Sequence, residues 1–217
     1  MIAIGVEGVS CTGKTTLARA LAERLTEHAG HTAALPGRRG EVCVVPCYYH
    51  AAPDPTALYN REIRAEADQL ALLATHLQVE QLRARQARSA LDRRHLVVLD
   101  RTVDTLLAHL RAVGLMRGLD ATAEARRLVT AQIERGQVAV PAVTLLLQTD
   151  HAVRARRAQA RTGMPPLYYD PGFAQGFNGH FADPITPHCL VIDATVRPDK
   201  LLEQAYAMVK PYLDGAG

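Results

Sequence analysis

Little in this sequence points to a membrane, a metal cage or an extended nucleic acid. No apolar run approaches the roughly 18 residues needed to cross a bilayer. The opening residues lack the charged, apolar and small-residue order of a secretory signal, so the expected compartment is cytoplasmic. The four cysteines, Cys11, Cys43, Cys47 and Cys189, show no metal-ligand spacing. Cys43 and Cys47 are expected on one face of a strand, and all four as reduced, buried thiols. Net charge is only +3, and the basic residues are dispersed through the second half rather than gathered in one tract. That pattern argues against nucleic acid and for a small anionic ligand. There is no fixed-period repeat and no low-complexity block. At 217 residues the chain can bury one full core but not two ordinary catalytic domains, so residues 1–217 are read as one domain.

What is present is a β-α alternation. Short apolar runs recur at residues 2–6, 42–45, 96–99, 143–147 and 190–192, separated by long Ala/Leu/Arg-rich stretches of helical spacing. Strands apolar on both faces and joined by helices read as a five-stranded parallel sheet covered on both sides, an α/β fold of three layers, α/β/α. Two stretches rich in Pro, Gly and Tyr, 36–55 and 163–187, read as irregular. In such sheets the loops beyond the carboxyl ends of the strands carry the chemistry.

Gly8-Val9-Ser10-Cys11-Thr12-Gly13-Lys14-Thr15 matches G-x-x-x-x-G-K-[ST], follows the first strand and opens an Ala/Leu-rich helix over 16–25. The fold expected is therefore that of P-loop NTPases. Its glycines let the backbone turn N–H groups inward, so Gly8, Ser10, Cys11, Thr12, Gly13, Lys14, Thr15 and Thr16 are candidates for the ATP phosphates, helped by the helix dipole. Lys14 is expected at the β/γ phosphates and Thr15 on Mg²⁺. The competing reading is a chance glycine turn ahead of a helix.

Asp100-Arg101-Thr102 ends the run 95–99, placing a carboxylate and a guanidinium at the end of a buried strand. Asp100 is a candidate second Mg²⁺ ligand and Arg101 a clamp on the acceptor or the transferring group. Alternatively Asp100 caps a helix starting near Thr102. After the run 143–147, Arg154, Arg156, Arg157 and Arg161 fall within eight residues of a helix leading into a Gly/Pro loop. Arg154, Arg157 and Arg161 share a face. They read as a helical arginine lid over about 151–170, Arg154 on the nucleotide and Arg157 and Arg161 on the transferring group, or else as a solvated basic surface.

These residues resemble the thymidylate kinase and deoxynucleoside kinase superfamily of P-loop enzymes over most of the chain. Val6-Glu7-Gly8 with Gly13-Lys14-Thr15-Thr16 is similar to the E-G-x-x-G-x-G-K-T-T opening of both groups, with Cys11 where the middle glycine is usual. Asp100-Arg101-Thr102-Val103-Asp104-Thr105 is similar to the D-R-Y-V-D-S of thymidylate kinases, and Leu190-Val191-Ile192-Asp193-Ala194 to the final strand of either group. Gln69 with Leu77-Gln78, on a helix over 65–88, reproduces the spacing of the nucleoside kinases' base-reading glutamine. Arg157-x-Gln159-x-Arg161 with Pro166-Leu167-x-Tyr169 resembles their lid. The resemblance implies Gln69 on a nucleobase edge, with Glu7, Tyr48, His50, His76, Arg101 and Tyr169 around the acceptor, and a homodimer. Read from periodicity alone, Gln69 sits on the wet side of an amphipathic helix whose core face is Leu70, Leu73 and Leu77. Likewise Tyr48, Tyr49, Tyr168, Tyr169, Phe173, Phe177 and Phe181 either stack on a flat acceptor or pack in the core.

The chain departs from the family after the second strand, where Val45-Pro46-Cys47-Tyr48-Tyr49-His50 carries neither the glutamate base of nucleoside kinases nor the R-E-P of thymidylate kinases. His76 stands about where the latter have a helix arginine. The expected activity is Mg²⁺-dependent phosphoryl transfer from ATP to a nucleoside or nucleoside monophosphate. The hydroxyl is preferred as acceptor, with a base drawn from Asp100, His50, Asp54 or Glu7, Asp100 first. A specialised kinase of an antibiotic-like or sugar hydroxyl, and a nucleotide-hydrolysing switch, are the other readings.

Overall fold

The computed structural model describes residues 2–32, 41–58, 62–93, 95–160 and 165–213. Arg161, and with it the 161–164 part of the expected lid, lies outside the described residues. Five strands, β1 (Ala3–Glu7), β2 (Val42–Val45), β3 (Leu96–Asp100), β4 (Val143–Gln148) and β5 (Cys189–Asp193), pair all-parallel in the order β2-β3-β1-β4-β5. Between and after them run α1 (Lys14–Thr32), α2 (Tyr48–Ala51), α3 (Glu66–Asp92), α4 (Asp104–Arg117), α5 (Thr122–Glu134), α6 (His151–Gln159), α7 (Pro171–His180) and α8 (Pro198–Leu213).

Helices cover both faces of the sheet because alternate residues of each strand are apolar on both. From β1, Ile4 and Val6 point to one side, where Leu17, Leu21 and Leu25 of α1 and Leu201, Ala205 and Val209 of α8 bury them together with Val98, Leu145 and Leu147. On the other side Ala3, Val97 and Leu99 meet Ala87 and Ala90 of α3. Gly5 shares that side because a Cβ there would run into the Thr102 methyl and lie 2.7 Å from Thr144 Oγ1. Its absence lets the turn after β3 close over β1. Beyond the sheet, α4 packs Leu106, Leu107 and Leu110 against Leu73 and Leu77 of α3 and Val129 of α5. Its Ala108 and Ala112 meet Phe173 and Phe177 of α7.

Three expectations need correction. The stretch 163–187 is not irregular: it contains a 3-10 turn, Pro166–Tyr169, and then α7, which starts where Asp170 accepts from the N–H groups of Gly172 and Phe173 and Pro171 fits the first turn. Cys47 does not share a strand with Cys43, since β2 ends at Val45 and Pro46 cannot continue the ladder. Asp100 caps no helix: α4 starts at Asp104, and its cap residue, Val103, makes no side-chain cap bond.

The loop between α7 and β5 is tied to the start of α4 by one buried carboxylate. Asp104 Oδ1 accepts from His180 Nε2 at 2.7 Å and the Ile185 N–H at 2.7 Å, while Oδ2 accepts from the Thr186 N–H at 3.0 Å and hydroxyl at 2.5 Å. Burial alone would raise the carboxyl pKa, but the bonds from His180, Thr186 and Ile185 outweigh it and hold the group below its ordinary 3.8. Stability from this carboxylate is therefore complete above pH 3.8 and is lost as pH falls below it. Asp104→Asn is expected to lower unfolding stability by about 3 kcal/mol at neutral pH, measured by denaturant titration, with the gap to wild type narrowing in acid. Equal stability at neutral pH would contradict this.

Candidate active site

The connection leaving β1 runs to one side of the sheet, to β2, and that leaving β3 runs to the other, to β4. Between the carboxyl ends of these adjacent strands the backbone diverges and leaves the crevice where open parallel sheets take ligands. Register sets what faces it: Val6 pairs level with Asp100, and Glu7 with Leu146. The glycine-rich loop 8–15 rises from β1 on one lip, and Asp100 with Arg101 stand on the other.

The loop is held in conformations most residues avoid. Gly8 has φ 138° and Gly13 φ 99°, and a Cβ on Gly8 would strike the Leu147 carbonyl. Cys11 adopts φ 66°, a left-handed conformation that costs a non-glycine residue about 1–2 kcal/mol. The loop turns inward on itself, with Thr12 Oγ1 donating to the Val9 carbonyl at 2.9 Å and Lys14 Nζ to the same oxygen at 2.6 Å. Glu7, fully buried behind the loop, accepts from the Thr102 N–H at 2.6 Å and from the hydroxyls of Thr102 and Thr105 at 2.9 and 2.8 Å. Burial raises its pKa, while the nearby Arg101 charge and these bonds lower it. Its oxygens are therefore occupied in pinning the two lips together and do not face the cavity described below.

Across the crevice Thr15 Oγ1 donates to Asp100 Oδ2 at 2.7 Å. Asp100 Oδ1 is buried without a hydrogen-bond partner. A buried carboxylate oxygen with no donor beside a threonine hydroxyl is an arrangement that a hard cation satisfies, and both oxygens fit Mg²⁺. Among the described residues no cluster of three or more His, Cys, Asp or Glu side chains forms a metal cage. Mg²⁺ needs none, since it takes most of its ligands from phosphates and water.

Beside the loop opens a cavity of about 690 Å³. Its floor is Lys14, Thr15 and Arg101, and its walls bring together Tyr48, His50, Gln69 and His76 from the early elements with His109, Tyr168, Phe173 and Phe177 from the later ones. Arg101 enters from a strained backbone, φ 75°, worth about 1–3 kcal/mol. Its Nη1 donates to Thr105 Oγ1 at 3.3 Å. Gln69 is buried, not on a wet face, because α4 covers that side of α3. Its Nε2 donates to the Leu110 carbonyl at 2.9 Å, and its Oε1 is buried with no partner. His76 lies 3.0 Å from the Leu72 carbonyl through Nδ1, and burial lowers its pKa. His109 is held down to about 3, first by burial and then by the nearby His76 and Arg101, so it is neutral at any working pH. No carboxylate is among the described residues lining this cavity.

The remaining candidates divide. Ser10, Cys11 and Gly13 line the cavity; Gly8 and Thr12 shape the loop from behind, and Thr16 is exposed on α1. His50 reaches the rim but is exposed. Tyr169 is not in the cavity; its neighbour Tyr168 is, while Tyr169 lies with Arg154 in a separate recess, its carbonyl 3.5 Å from the Arg154 guanidinium. The 3-10 turn at Pro166–Tyr169 points the two adjacent tyrosines different ways and turns Tyr168, not Tyr169, into the cavity. Phe181 stacks on Phe177 outside the cavity, its ring centroid 5.7 Å away. On α6, Arg154 is buried beside Tyr169, whereas Arg157 donates to the carbonyls of Thr12 at 3.2 Å and Ala194 at 2.8 Å and so turns toward the glycine-rich loop. Among the described arginines of α6 the solvated-surface reading holds for Arg156, which is exposed. Sequence reasoning missed His109 and Arg83. The first had no motif, and only its place nine residues after Asp100, on the helix that follows, could have suggested it.

Compared with protein-family models and with curated protein sequences, the chain matches none.

Gln69 carries a test of whether this cavity is a binding site. An unpartnered buried oxygen costs about 1–3 kcal/mol, and a ligand donor would recover that on binding. Gln69→Leu removes the orphaned oxygen and strands nothing essential, because the Leu110 carbonyl also lies within the α4 helix. The variant is expected to unfold within about 1 kcal/mol of wild type, or later, while ligand affinity in the cavity falls about tenfold or more. A marked loss of stability with unchanged ligand binding would make Gln69 a core residue only.

Proposed function

We propose that this chain is a P-loop kinase that moves the γ-phosphoryl group of ATP, with Mg²⁺, onto a small acceptor of the nucleoside monophosphate class. The observation that carries the reading is the Thr15 to Asp100 bond across the crevice, with one Asp100 oxygen unpaired and Lys14 beside it over a left-handed glycine-rich loop. Phosphoryl transfer asks a protein mainly for position and charge neutralisation. The N–H groups of loop 8–15 and the amino end of α1 bind the triphosphate. Lys14, now resting on the Val9 carbonyl, exchanges that oxygen for phosphate oxygens. Thr15 and Asp100 would hold Mg²⁺, which would supply positive charge to neutralise the donor phosphates. Arg101 meets the acceptor's anionic oxygen, and Arg157, anchored on Thr12, closes the nucleotide side.

The choice of acceptor differs from the hydroxyl preferred from sequence. A neutral hydroxyl needs a base within reach, whereas a monophosphate oxygen is already anionic and needs cations. Among the described residues the cavity offers the cations Lys14 and Arg101 and no carboxylate, while burial holds His76 and His109 toward the neutral form. Asp100, the first-choice base, is 3% exposed and already accepts from Thr15. Tyr168, Phe173 and Phe177 supply an aromatic wall for a flat base. A hydrolysing switch has no use for so large a second cavity beside its phosphate loop.

Lys14→Ala should reduce transfer on the order of 10³-fold without unfolding the protein. Asp100→Asn should raise the Mg²⁺ requirement and cut turnover far more than it weakens ATP binding. Near-normal turnover in both would end the assignment. For the acceptor, one nucleoside and its own 5′-monophosphate are compared across pH. The monophosphate should react faster with a flat profile, Arg101→Ala should cost about 100-fold in kcat/KM for it, and His50→Ala should change it less than about threefold. Faster transfer to the nucleoside, with a pH step abolished by His50→Ala, would restore the hydroxyl acceptor.

A further inference from the structure

We propose that Arg83, on the core side of α3, is a positioning residue for phosphoryl transfer: through the backbone at the end of β3 it sets the metal-binding carboxylate of Asp100 and the acceptor clamp Arg101. The inference rests on the kinase reading above. Arg83 is 1% exposed and touches neither the cavity nor the loop 8–15. Every bond it makes ends on a group that frames them. Nε donates to the Pro46 carbonyl, just past β2, at 2.8 Å. Nη2 donates to the carbonyls of Asp100 at 3.1 Å and Arg101 at 2.5 Å. Nη1 pairs with Glu80 Oε2 at 2.6 Å. The guanidinium plane lies over the ring of Tyr48, its central carbon 4.2 Å from the centroid, and Tyr48 lines the acceptor cavity.

The peptide at Arg101 is thereby gripped from both sides. Its N–H donates to the Val6 carbonyl of β1 at 3.0 Å, and its carbonyl accepts from Arg83. A non-glycine residue stays at φ 75° only where its surroundings over-determine it, and these two bonds supply that. Glu80 keeps the buried guanidinium neutralised and is itself held, with Oε1 accepting from the Ala139 N–H at 3.1 Å and Oε2 lying 2.8 Å from the Tyr48 hydroxyl. A stability role alone would not require the acceptors to be the carbonyls of the two residues that carry the chemistry. A planar fork with five donors can hold three carbonyls and a carboxylate while stacking on a ring; an ammonium cannot.

The test uses Arg83→Lys, and a second protein carrying Arg83→Met with Glu80→Gln, which removes both charges so that neither is stranded. Each is checked for folding by circular dichroism and thermal unfolding. ATP affinity is then titrated without and with Mg²⁺, and kcat and KM are measured. Expected are folded proteins whose metal-free ATP affinity stays within about threefold of wild type, because the loop supplies those contacts. The tightening that Mg²⁺ confers should fall about 10–100-fold, with kcat down about 100-fold and KM for ATP little changed. A folded variant that keeps the wild-type response to Mg²⁺ and its kcat would overturn the inference. So would failure of both variants to fold, which would make Arg83 a fold residue. If wild type itself binds ATP without any response to Mg²⁺, the kinase reading fails instead.

Discussion

Val6 lies level with Asp100 in the parallel pairing of β1 and β3, and the carboxyl edge of the molecule follows from that register. A slip of one residue would turn every side chain of the strand to the opposite face and bury Ile4 and Val6 where Gly5 now makes room for the turn after β3. With the register kept, the loop after Glu7 and the turn after Asp100 emerge side by side where the connections diverge. The first residues of α1 then meet the last residue of β3, which is how Thr15 and Asp100, 85 positions apart, come within 2.7 Å.

Buried ionic groups then fix the turns that this register brings together. Glu7 collects donors from Thr102 and Thr105, and so ties β1 to the β3–α4 turn. Glu80 with Arg83 ties that turn to the end of β2 and to the residues before β4. Asp104 ties α4 to the loop before β5. Hydrophobic burial is non-directional and holds helices to the sheet without setting a loop to within an ångström, whereas a desolvated carboxylate must find donors at fixed angles. The apolar clusters make the domain compact, and these polar anchors give its functional edge a shape. Arg101 and Cys11 are the places where that shape forces the backbone into left-handed conformations.

How much was legible in the sequence depended on how local each signal is. The five strands, their parallel pairing and the loop 8–15 could be read because each is carried by neighbouring residues: an apolar run, then glycines, then a helix. Asp100 was legible as the end of such a run. What sequence could not give was direction. Tyr168 and Tyr169 are indistinguishable as letters, and only the 3-10 turn decides which enters the cavity. Gln69 looked equally suited to solvent or to a ligand until α4 was known to cover it. α7 was hidden by its glycines, which a helical period discounts, although Gly176 is what lets α7 approach Ala112, where a Cβ would lie 2.8 Å from the backbone. Arg83 was invisible because the bonds that tie it to the end of β3 go to carbonyls, which leave no mark in a sequence.

The central claim is that the crevice and the cavity beside it work together, one holding the donor phosphates and the other the acceptor. It is tested most directly by following ADP release from ATP and Mg²⁺ by the purified protein, with and without a panel of nucleosides, nucleoside monophosphates and other hydroxyl compounds. The account predicts that ADP forms only slowly until a nucleoside monophosphate is added and then forms in step with its phosphorylated product. ADP release at the same rate with and without every acceptor, or none under any condition, would contradict it.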